Sequence, residues 1–120
     1  MAENLGFENR NVTFAENNER MNFIEHKLAN ILELCKKYKV RNLYAFGSVL
    51  TDKFNDKSDI DLIVDFKRMP LKVYSDNYYD FKFSLEDMLN RPVDLLEHKA
   101  IRNPYFLENI NKHKKLIYGS

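Results

Sequence analysis

Asp59 and Asp61 stand one residue apart at the head of the apolar run "DIDLIV". In an extended strand, side chains alternate between faces. The two carboxylates would therefore point to one side, about 7 Å apart, while Ile60, Leu62 and Val64 turn to the other and fill a core. Like charges held this close repel and raise each other's proton affinity unless a cation lies between them. Mg²⁺ suits such a clamp, because it takes carboxylate oxygens and keeps its other positions for water and substrate phosphates. A third acid from another strand would complete a site able to activate an attacking oxygen and hold a triphosphate. Asp94, flanked by Val93 and Leu95 in "PVDLLE", is the best candidate; Glu97 falls on the opposite face of the same extended piece.

Gly47 and Ser48 precede this pair by ten intervening residues. A glycine at a strand end lets a phosphate approach the backbone, and a serine hydroxyl with the following N–H groups can bind it at a helix start. Each piece has a plainer meaning when taken alone. Asp-x-Asp is often a solvated edge or a turn, and Gly-Ser is commonly a turn glycine with a serine N-cap. Their combination at this spacing favours phosphate and metal chemistry.

Regular elements must hold these groups. "VRNLYAF" and "SDIDLIVDF" read as two strands, with the linker between them long enough for a short helix and a turn. Ahead of them, Ile24, Leu28, Ile31, Leu32 and Cys35 follow a helical period over residues 22–38. Tyr74, Tyr78, Phe81, Leu85 and Met88 predict a long amphipathic helix over 71–90 whose aromatic stripe belongs to the core. "PVDLLE" gives a third, short strand. Asn103 and Pro104 cap a further helix with Tyr105, Phe106 and Ile110 as its apolar contacts, and "KLIYG" ends the chain as an extended piece. The class is α+β, or mixed α/β, with a small sheet. Residues 1–20 lack any period and read as a mobile N-terminal arm; residues 21–120 form the folded domain.

At 120 residues the chain fits one domain. Nineteen basic residues balance 18 acidic ones, for a net charge of +1, so no global field draws in nucleic acid or an anionic membrane. Neither is expected as a partner. The single Cys35 cannot form an internal disulfide, and no leader or membrane-spanning run is evident, which makes the cytoplasm the default setting. His26, His98 and His113 have no metal-ligand spacing and are assigned to surface or packing roles, which disfavours a metal-dependent nuclease with a histidine base.

The series "GS", ten residues, "DIDLIV", then "RPVDLLE" and "IRNPYFLENI" resembles the minimal nucleotidyltransferase (MNT) family of the polymerase-beta-like superfamily. The resemblance runs over residues 23–119. It implies a small mixed sheet with helices packed on one side. It also implies transfer of a nucleoside monophosphate, usually AMP from ATP. In that pattern Gly47 and Ser48 hold the nucleotide phosphates, Asp59 and Asp61 ligate Mg²⁺, and Asp94 is the third carboxylate, activating the acceptor hydroxyl. Family members commonly continue as Gly-Ser-x-Ala-Arg-Gly, whereas Thr51 stands at the arginine position here, leaving Lys53 or Lys57 as substitutes. Short chains of this kind resemble the antitoxin of a pair whose other member is a helical HEPN ribonuclease, silenced by AMP attached to a tyrosine. The acceptor surface would come from that partner or from a second copy of the chain in a homodimer. The alternative is a non-catalytic module that keeps the fold and neutralises its partner by contact.

Overall fold

The computed structural model describes residues 23–50 and 57–119, with Ser48 by its backbone alone. The N-terminal arm expected at 1–20, together with Thr51 and Lys53, lies outside the described residues.

Helix α1 (Leu28–Lys37), preceded by a helical turn at residues 23–26, leads into β1 (Val40–Phe46) and a 3-10 turn (Gly47–Leu50). Strand β2 (Ile60–Phe66), helix α2 (Leu71–Leu89), strand β3 (Val93–Glu97), helix α3 (Pro104–His113) and strand β4 (Lys115–Tyr118) follow. The sheet order is β3-β2-β1-β4. β1 runs antiparallel to β2 and β4, while β2 and β3 are parallel. The mixed α+β sheet is as expected; of the helices, α1 and α2 pack on the face that carries Ala45, whereas α3 packs on Phe46, which alternates with it. The parallel pair exists because α2 carries the chain back between β2 and β3, the crossover that parallel neighbours require.

Alternation along the strands sorts the two faces. Leu43 and Ala45 of β1, Ile60, Leu62 and Val64 of β2, and Val93 and Leu95 of β3 are buried in one cluster with Ile31 and Cys35 of α1 and Phe81, Leu85 and Leu89 of α2. The aromatic stripe of α2 is core, as its spacing predicts. Phe66 meets Tyr74, Tyr78 and Phe81 edge-on, with ring centroids 5.6, 6.4 and 5.8 Å away. The Asn77 amide donates to the Tyr38 carbonyl at 2.8 Å, satisfying an orphan acceptor where α1 ends and locking it to α2.

Ile63 and Ile110 are buried outside that cluster. Phe46, which alternates with Ala45, meets Phe106 of α3 edge-on at 6.3 Å, so α3 packs against the end of β1. Asn103 caps α3 as predicted, its side-chain oxygen accepting from the N–H groups of Tyr105 and Phe106 at 2.9 and 3.1 Å. Tyr105 departs from expectation: it is 81% exposed. Phe106 and Ile110 lie four residues apart on one helix face, and Tyr105 is rotated by about 100° from Phe106, away from it. No helix among the described residues is long and apolar enough to cross a membrane.

Cys35 is fully buried, and burial lifts its thiol from an ordinary 9.0 to about 12. The folded chain therefore keeps this proton to higher pH than the unfolded chain. Its contribution to stability is complete below pH 9 and declines as pH rises toward 12. At pH 8 the native thiol is expected to resist a chromogenic disulfide reagent and to react fully once denaturant is added. Rapid labelling of the native protein would contradict its packed position.

Candidate active site

The strand register delivers what spacing alone could not: Asp61 of β2 lies directly beside Asp94 of β3. Neighbouring strands are about 4.8 Å apart, so two carboxylates from facing positions share one side of the sheet. Asp61 is half-buried and Asp94 is exposed. On its other flank, Asp61 pairs in register with Phe46, the residue before Gly47.

Gly47 has a positive φ of +76°, and a Cβ built there would overlap the Asp61 carboxylate. The sequence places glycine where both conditions exclude other residues: the backbone turns left-handed, and the acid occupies the space of a side chain. The turn at Gly47–Leu50 thus presses its backbone against one member of the acid pair. Val49 is completely buried and anchors the turn in the core.

Asp59 differs from its expected placement. β2 begins at Ile60, so Asp59 is the exposed residue just ahead of the strand. Its backbone is nevertheless gripped on both sides. The Arg91 guanidinium donates to the Ser58 carbonyl at 3.0 Å, and the Ile60 N–H donates to the Pro92 carbonyl at 3.1 Å. The entry to β3 is held in turn by Glu86 of α2, whose Oε2 accepts from the Val93 N–H at 2.9 Å. Asn90, left-handed at φ 57°, makes the reversal from α2 into this segment. The Tyr78 hydroxyl donates to the Leu95 carbonyl, fixing α2 to β3 beside Asp94. Burial, then the neighbouring Tyr79 and Asp94, push the Tyr78 phenol above its ordinary range, so it stays a neutral donor.

Asp59, Asp61 and Asp94 therefore gather at one end of the sheet, around the β2–β3 entry. Among the described residues, no three acidic, histidine or cysteine side chains are already drawn into a metal-ligand cluster. The donor types still fit a hard divalent cation: Asp61 and Asp94 offer carboxylates from register positions of adjacent strands, beside a glycine turn whose backbone can approach a phosphate.

Two further features were not foreseen. A cleft of ≈ 380 Å³ borders Gly47 and is lined by Leu50, Asn109, His113 and Lys115. His113, expected at the surface or in packing, stands at this cleft; no local sequence signal marks it, because α3 reaches Gly47 by tertiary packing, with Phe106 against Phe46 and β4 paired to β1. A second cavity of ≈ 360 Å³, with Arg41, Lys67, Arg68 and Lys99 on its wall, lies toward the other end of β2, away from the acid pair.

Residues 29–120 match the family model described as polymerase beta, nucleotidyltransferase, and the chain belongs to that family. A Methanocaldococcus jannaschii relative, named as a candidate protein adenylyltransferase, is 36% identical over 85 residues, covering 71% of this chain and 82% of the relative. The solved structure of a candidate minimal nucleotidyltransferase aligns with a TM-score of 0.65 at 22% identity, over 78% of this chain and 92% of that one. A Shewanella oneidensis complex, described as a tri-AMPylated HEPN toxin with its MNT antitoxin, aligns with a TM-score of 0.57 at 19% identity, over 80% of this chain and 72% of that one. At such identities the two structural likenesses establish the fold. The chain is thus a nucleotidyltransferase of the polymerase beta family, related to proteins named as adenylyltransferases.

Proposed function

We propose that this protein transfers AMP from ATP to a hydroxyl, most directly a tyrosine of a helical HEPN partner, and acts in the cytoplasm as the antitoxin of that pair. The observation that carries the reading is the Asp61–Asp94 register with the Gly47 turn pressed against Asp61. A glycine turn that a phosphate can approach closely, next to paired carboxylates, is the arrangement nucleotidyl transfer needs.

Gly47 and the backbone of Ser48 hold the phosphates. Asp59, Asp61 and Asp94 would hold Mg²⁺, which when bound neutralises phosphate charge and favours a nucleophilic oxygen. Asp94, exposed at the rim, faces the acceptor and takes the proton from its hydroxyl. The acceptor oxygen bonds to the α-phosphorus, the bond to the β-phosphate oxygen breaks, and pyrophosphate leaves. Asp94 stands exposed on β3, where a protein partner can bring its own hydroxyl to it. Likeness to the antitoxin of an AMPylated HEPN toxin supports the same choice.

A contact-only antitoxin is the second reading, favoured by Thr51 at the position where the family commonly has arginine. Incubation of the purified pair with Mg²⁺ and ATP distinguishes the two. A mass increase of one or more AMP units on the partner supports transfer. Tight association and silencing without any mass increase establishes the contact-only module.

A further inference from the structure

We propose that the cleft beside Gly47 receives the β- and γ-phosphates of the nucleotide, with Lys115 as the cation that takes the place of the arginine Thr51 displaces and His113 beside it on the cleft wall. This inference rests on the nucleotide reading above and names residues of that same site.

Gly47 is the shared wall. It is packed against the Asp61 carboxylate and also lines the cleft, and it has no side chain to separate the two. A phosphate chain whose α-phosphate lies near Asp61 can therefore continue past Gly47 into the cleft. Asn109 and His113, one helical turn apart on α3, share the face that borders it. Lys115 is brought there by β4, where it is the register partner of Ala45, two residues before Gly47.

Two contacts hold this wall in place. Phe106 packs on Phe46, and the Lys114 ammonium sits 4.2 Å from the centre of the Tyr44 ring. The neighbouring lysines are already engaged: Lys112 pairs with Glu108 at 3.8 Å, and Lys114 also donates to Asn111 at 3.0 Å. Among the described residues Lys115 forms no ion pair, so its charge is available at the cleft. The Nδ1 of His113 lies 2.9 Å from the Asn109 carbonyl and must donate to it. That bond leaves Nε2 as the ring's outward nitrogen.

The C-terminus of α3 opposes an anion with the equivalent of about half a negative charge. The full positive charge of Lys115 exceeds that. A flexible lysine also suits a terminal phosphate as a point charge, without the bidentate geometry an arginine would impose.

Calorimetric titration of the full-length protein with ATP and with AMP, both in Mg²⁺, tests the assignment. Lys115→Gln is expected to weaken ATP binding by about tenfold, and Lys115→Gln with His113→Gln by more, while AMP affinity stays within about twofold of wild type. Lys115→Arg should retain most of the ATP affinity. Both side chains are exposed, so melting temperatures serve as a check that the fold is unchanged. Wild-type ATP affinity in the double variant would overturn the inference while leaving the nucleotide reading intact. Failure of the wild-type protein to bind ATP at all would overturn both.

Discussion

Asp94→Asn is expected to abolish AMP addition to the partner while the two proteins still associate. The Asp94 side chain is exposed and forms no hydrogen bond among the described residues, so an isosteric amide leaves β3 and its pairing with β2 untouched. What disappears is the proton acceptor and one of two facing charges. Loss of a general base alone lowers a rate by about 10²- to 10⁴-fold. Relief of repulsion between Asp61 and Asp94 should at the same time leave the melting temperature unchanged or slightly raised. Intact-mass analysis of the partner, with co-purification of the pair as a control, reads both effects. An Asp94→Asn protein that modifies its partner at the wild-type rate would remove Asp94 from the chemistry.

Gly47→Ala should damage stability and nucleotide binding together. A left-handed backbone costs an alanine roughly 1–2 kcal/mol. The new methyl group also overlaps the Asp61 carboxylate, which must then move away from the turn. The melting temperature is expected to fall, and ATP affinity to drop by about tenfold or more, since the phosphate-binding backbone and the acid no longer meet. A melting temperature equal to wild type would show that Gly47 is not held against Asp61. A loss of stability with full ATP affinity would show that their contact is structural only.

Much of this arrangement is visible in the sequence because it is local. The apolar alternation of "VRNLYAF" marks β1 at Val40–Phe46, and the four- and three-residue steps from Tyr74 to Met88 mark α2 and the face it buries. The Asn-Pro cap of α3 is legible for the same reason: the side chain and the N–H groups it satisfies are within three residues. Asp94 could be nominated from the apolar residues around it, but its position beside Asp61 depends on the parallel β2–β3 register that the α2 crossover creates.

Other features depend on tertiary pairing and leave no local trace. Asp59 reads as part of a strand by alternation, yet β2 starts one residue later, where Ile60 first bonds to Pro92. His113 and Lys115 look like ordinary basic residues at a helix end. They reach Gly47 because β4 adds to the outer side of β1. The near-neutral net charge likewise conceals a local group of cations, Arg41, Lys67, Arg68 and Lys99, which three separate segments bring to one cavity.

The central claim is that Asp61, Asp94 and the Gly47 turn form one Mg²⁺-dependent nucleotide site. Its most direct test is calorimetry of ATP binding with and without Mg²⁺, in the wild-type protein and in Asp61→Asn. The wild type should bind ATP only with the metal present, and Asp61→Asn should lose that binding while its melting temperature is maintained. Equal ATP affinity in the two proteins, or binding indifferent to Mg²⁺, would contradict the account.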